Sequence, residues 1–141
     1  NWERPVRGSD VEAVCIVTSQ QSVFDFVDAL SQGNAKTAQR LLHRLLENED
    51  PFSLWGMVVR QFRLLLQARE ILDARGNKDD VARALAIHPY VAEKTTGQAG
   101  RFSMEALEGI YHRLLRIDEQ VKTSQVTLDL ALDTLVVELA R

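Results

Sequence analysis

The segment MVVRQFRLLLQAREIL, residues 57–72, constrains the fold more than any other part of the chain. Placed on a helix at roughly 100° per residue, it carries two apolar arcs where a surface helix carries one. Val58, Val59, Phe62, Leu65, Leu66 and Leu72 make a broad arc, joined by Leu54 and Trp55 from the turn before. Met57, Leu64, Ala68 and Ile71 make a second, narrower arc. Only the strip of Arg60, Arg63, Gln67 and Glu70 is plainly polar. A helix packing into its own bundle needs one stripe of a little over 100°. The second arc therefore calls for a central place in a bundle or for a neighbouring subunit, and both readings stand. The candidate subunit interface is the arc of Met57, Leu64 and Ile71 with Arg60 and Arg63 at its rim.

The rest of the chain reads as helix after helix with short punctuation. Ser9 and Glu12 have capping-box spacing and open a brief helix through about Ile16. Polar "TSQQS", residues 18–22, is the linker candidate. Ser22 is expected to cap a helix whose Val23, Phe26, Val27 and Leu30 share one side. Gly33 stops it, and Asn34 caps a helix striped by Ala38, Leu41, Leu42, Leu45 and Leu46. Asp50 followed by Pro51 starts the long helix, which runs to Arg75 with Gly76 as its stop. Asn77 restarts a short helix, with Asp79 and Asp80 in the first turn where the dipole favours them. His88-Pro89 begins another, expected to fray around "TTGQAG". Ser103 caps a helix striped by Leu107, Ile110, Tyr111, Leu114, Ile117 and Val121. After "TSQVT" comes a last helix with Leu128, Leu132, Leu135, Val136 and Leu139. "VCIV", residues 14–17, is too short and ill-placed for a convincing strand. The fold class is all-α, a compact helical bundle.

Composition narrows the function classes. At 141 residues and 45% hydrophobic content, one core can form that buries roughly 68% of the unfolded surface. A net charge of -3 carries no global basic excess that would advertise nucleic acid or an anionic membrane. The lone Cys15 excludes an internal disulfide and a cysteine zinc cluster, and fits a reducing, cytoplasmic setting. Apolar runs fall far short of the about 20 residues that span a bilayer, so no membrane partner is expected.

No catalytic, cofactor or metal site emerges. His43 and His112 project away from the stripes of their helices, and His88 sits in a turn before proline. "GNAKT", residues 33–37, lacks the glycine before lysine and the feeding strand of a phosphate loop. "GQAG", residues 97–100, lacks the strands of an RNA-clamping module and reads as a frayed helix end. Asp25, Asp79, Asp80 and Asp129 fall at helix starts, where capping accounts for them. Arg60, Arg63 and Arg69, like Arg101, Arg113, Arg116 and Lys122, read as solvated faces balanced by Glu70, Glu105, Glu108 and Asp118. Gly56 and Gly109 sit inside helices at a cost of roughly 1 kcal/mol each relative to Ala, without an evident reason.

An ordered set of segments nevertheless resembles a known family. "SVFDFVDALSQGNAKTAQRLLHRLLENEDPFSLWGMVVRQFRLLLQAREIL", then "LAIHPYVAEKTTGQAGRFSMEAL", then "IDEQVKTSQVTLDLALDTLVVEL" are similar to the C-terminal domains of the delta subunit of bacterial DNA polymerase III. The likeness covers roughly residues 20–141, with Phe26 in place of a usual Leu and Thr123-Ser124 where Thr-Gly is common. The resemblance implies a subunit of the AAA+ clamp loader, in which five subunits associate through helical collars and delta opens the sliding clamp. It further implies that residues 1–20 are the tail of a preceding lid module plus linker, and residues 21–141 the collar. The resemblance implies as well that the clamp-gripping element belongs to an N-terminal module outside these residues, and that working ATPase machinery is lacking, as in delta-type subunits. The expected partners are the other clamp-loader subunits, with sliding clamp and primer-template DNA met only through the full-length protein or complex. Two other readings remain: a stand-alone helical adaptor that binds a partner helix, and a helical nucleic-acid binder using the Arg60/Arg63 strip.

Overall fold

The computed structural model describes residues 21–139. The Ser9/Glu12 helix start, "VCIV" and the proposed 1–20 tail lie outside the described residues. Among those described there are seven helices and no strand. They are α1 (21–31), α2 (Ala35–Asn48), α3 (Pro51–Asp73), α4 (Lys78–Leu85), α5 (Pro89–Ala99), α6 (Met104–Lys122) and α7 (Leu128–Leu139).

Local chemistry sets most boundaries. The Asn34 side chain accepts from the Thr37 amide, and Asp50 accepts from the amides of Phe52 and Ser53 ahead of Pro51. Asn77 and Asp80 form a reciprocal capping box, and Ser103 accepts from Ala106. Each satisfies donors that the first helical turn leaves orphaned. Gly33, at φ 72°, ends α1 in the left-handed region that suits glycine.

Three expectations need correction. Ser22 does not cap α1, because residues 21 and 22 are already helical. Gln21 is tied there by donating to Asp25 and by accepting from the Tyr90 hydroxyl of α5, a tertiary contact that overrides the polar, linker-like composition. α3 ends at Asp73 rather than at Arg75, and it is not Gly76 that takes the left-handed conformation beyond it. Arg75 takes that conformation at φ 68°, while Gly76 is small because a Cβ there would lie 2.5 Å from Ile71 Cγ2. The "TTGQAG" end of α5 is not frayed. Thr95, Gln98 and Ala99 are buried, and Gln98 bonds to α1 and α3.

The core lies around α3, which packs against α2, α4, α5, α6 and α7. Leu54, Val58, Phe62 and Leu65 are fully buried, as are Leu42, Leu107, Leu114, Leu132 and Leu135 from other helices. Burying a side chain such as Phe62 stabilises the fold by roughly 1.5–3 kcal/mol. Its ring meets Phe102 edge-on at 6.2 Å between centroids. α3 and α6 run antiparallel, since Trp55 bonds to Asp118 whereas Arg63, further along α3, bonds to Tyr111, earlier in α6.

Candidate subunit interface

The central position of α3 occupies much of its second apolar arc within the chain itself. Leu64 is only 9% exposed and Ala68 is fully buried. Met57 and Ile71 are half-buried and pack against the core. Of the five interface candidates, Arg60 and Arg63 are the ones at the surface. They lie on an exposed strip with Gly56 and Gln67, at i, i+4, i+7 and i+11.

Beside that strip runs an open groove of about 270 Å³ between α3 and α6. Trp55, Gly56 and Val59 form one wall, and Leu114, Leu115 and Asp118 the other, with Arg60 and Arg63 along the lip. The Trp55 indole N–H donates to Asp118 Oδ1 at 3.1 Å, which joins the walls at one end. Arg63 Nε donates to the Tyr111 hydroxyl at 3.2 Å and joins them at the other. Leu115 is 48% exposed. Gly56 adds no side chain, and a Cβ built there would meet nothing within 4 Å.

The charges of the groove are unbalanced. Asp118 is the acid that lines it, and Lys122 already holds that carboxylate at 2.8 Å. The Lys122 hydrogen bond, aided by that of Trp55 and opposed by partial burial, keeps the Asp118 carboxyl below its usual range. Arg63 is bonded to a neutral hydroxyl, and no acid pairs with Arg60 or Arg63 among the described residues. Some other cations are paired, Arg69 with Asp73, Arg101 with Asp28 and Arg113 with Glu138, whereas Arg40, Arg44 and Arg116 have no acid partner among the described residues either.

A second groove, of about 250 Å³, separates α6 from α7. Arg113, Arg116, Leu130 and Glu138 line it, with Leu130 58% exposed at its edge. The histidines do structural work or none: His88 Nδ1 accepts from the Tyr90 amide, His43 lies 3.3 Å from Asp133, and His112 is exposed. Among the described residues no cluster of His, Cys, Asp or Glu is arranged to hold a metal. No helix among them is long and apolar enough to cross a membrane.

Sequence reasoning singles out Arg60 and Arg63 but not the groove they border. Leu115 stands one position off the α6 stripe, so periodicity gives it no role. Gly56 is visible in the sequence only as an unexplained weakness in α3.

Comparison with known proteins agrees with this architecture. The family model for the C-terminal domain of the DNA polymerase III delta subunit matches residues 20–139. The DNA polymerase III subunit delta of Bacillus subtilis (strain 168) is 25% identical over 133 residues, which are 94% of this chain and 38% of that protein. The solved Bacillus subtilis DNA clamp loader delta protein (YqeN) superposes with a TM-score of 0.81 at 25% identity, covering 86% of this chain and 36% of that one. The chain thus spans little more than a third of the relatives it matches.

Proposed function

The chain belongs to the family of C-terminal domains of the DNA polymerase III delta subunit, and from that premise we propose that it is a non-catalytic assembly module of a replicative clamp loader. Residues 21–141 act as a helical collar, and residues 1–20 as the tail of a preceding lid module. The collar binds other clamp-loader subunits in the cytoplasm, so that the full-length protein opens the sliding clamp and loads it on primer-template DNA. The module needs no cofactor for this, because its work is adhesion between helices.

One observation carries the reading. α3 buries most of both apolar arcs inside the chain, yet beside it lies a groove with an exposed leucine and two arginines that no acid balances. Met57 and Ile71 pack against the core and Leu64 is buried, while Arg60 and Arg63 are the members exposed at the surface.

The test is reconstitution. The full chain is mixed with the remaining clamp-loader subunits, and the particle mass is followed by light scattering. Entry of one copy into the assembly is expected. A mixture in which those subunits assemble while the chain stays outside would refute the assembly role.

A further inference from the structure

We propose that the groove between α3 and α6 receives an α-helix of a partner subunit, which seats an apolar side chain over Gly56 and directs carboxylates to Arg60 and Arg63. The inference rests on the assembly reading and adds to it the surface and the chemistry of the partner.

The first support is Gly56. Glycine weakens a helix interior relative to alanine, and α3 is the central helix of the fold. Nothing within the chain requires glycine at this position. Its backbone has no positive φ, and an added Cβ would meet no atom within 4 Å. Gly33, with its left-handed backbone, and Gly76, against Ile71, have reasons visible within the chain, whereas Gly97 and Gly109, like Gly56, would meet nothing within 4 Å. Gly56 differs in lying on the wall of a groove. A bare backbone there lets another helix approach more closely than any side chain would.

The second support is charge. Arg60 and Arg63 stand one turn apart on the same edge of the groove, where carboxylates at i and i+3 or i+4 of an opposing helix can meet both. Asp118 cannot serve them, since it is committed to Trp55 and Lys122. The guanidinium groups are planar, multiply donating and suited to carboxylates. Between them and Leu115 the groove offers apolar contact flanked by positive charge, which matches an amphipathic helix with an acidic edge. A nucleic-acid strand would find the arginines but would leave Leu115 and Val59 without a counterpart.

Two variants of the full chain test this: Gly56→Leu, and Arg60→Glu combined with Arg63→Glu. Urea unfolding reports whether each folds, and titration into the remaining clamp-loader subunits reports binding. Gly56→Leu is expected to fold at least as well as the parent and to bind at least tenfold more weakly. The double charge reversal is expected to keep the fold, to lose at least tenfold in affinity, and to remove the weakening of binding by salt that is expected of the parent. Parent-like binding by the double variant would overturn the groove while leaving the assembly role intact, and this arm holds even if Gly56→Leu disturbs folding. Parent-like binding by a folded Gly56→Leu would overturn it as well. Loss of primer-template DNA binding with subunit binding unchanged would overturn it in favour of a phosphate site. If the parent chain itself fails to bind the subunits, the assembly role and the groove fall together.

Discussion

Gln61 on α3 donates its side-chain amide to Oε1 of Gln98 on α5 at 2.9 Å, and both residues are buried. Gln98 completes the tie by donating to the Phe24 carbonyl and to Asp28 Oδ1, each at 2.9 Å. Three helices are therefore held in register by one amide pair. A buried polar group left without its partner costs about 1–3 kcal/mol. Gln98→Ala strands the Gln61 amide, so it should cost about that much, measured as a lowered urea midpoint. Gln61→Leu with Gln98→Leu should lose less than the sum of the two single leucine variants, because the pair acts as a unit. Strict additivity would show that the two amides do not cooperate.

This pair also marks where sequence reading stops. The starts at Asn34, Asp50, Asn77 and Ser103 are legible because a cap is a contact within three residues of itself. The apolar stripes of α2, α6 and α7 are legible because a period of 3.6 needs no knowledge of the partner. Gln98 and Gln21 sit in loose polar segments of the sequence, and their partners on other helices lie 37 to 74 and 69 positions away. The groove is hidden for a similar reason. Its walls come from Trp55 to Arg63 and from Leu114 to Asp118, and only antiparallel packing of α3 on α6 brings them together.

Leu64 and Leu65 separate the two arcs of α3. Leu65 is fully buried, and Leu65→Ala should cost about 2–5 kcal/mol as the lost contacts leave a cavity. Leu64, at 9% exposure, is covered by the chain itself. Leu64→Asp places a carboxylate at a buried apolar position, so loss of cooperative thermal unfolding is the expected result. A variant that unfolds like the parent but fails to assemble would instead assign that arc to a partner.

The helical glycines should respond in opposite directions to the one that follows α3. Gly56→Ala and Gly109→Ala add a methyl group into open space and should each stabilise the isolated chain by up to about 1 kcal/mol. Gly76→Ala must displace Ile71 Cγ2, and the overpacking should cost roughly 1–3 kcal/mol. Urea midpoints of the three variants decide the matter. Equal destabilisation by all three would mean that the space around Gly56 and Gly109 is already filled.

Asp118 supplies a pH dependence whose sign is set by its partners. Lys122 is the main cause of its lowered pKa, with the Trp55 indole N–H adding to the effect and partial burial opposing it. The unfolded carboxyl titrates near about 3.9, so the folded chain holds fewer protons just below that pH. The stabilisation is fully present above the unfolded value and is lost as pH falls through the folded one. Asp80 shifts in the same direction, chiefly through the Asn77 backbone N–H, so an acid slope remains without Asp118. Asp118→Asn keeps an acceptor for Trp55 but removes the titration. Its urea midpoint should fall below that of the parent at neutral pH and converge with it as the pH drops below about 4. Lys122 shifts upward because of the same carboxylate, so its share is complete below the unfolded value near about 10.4 and disappears as pH rises through the folded value. Parent and variant midpoints should therefore converge at both ends of the scale. Curves that stay parallel from acid to alkali would show that the Asp118–Lys122 pair contributes nothing to folding.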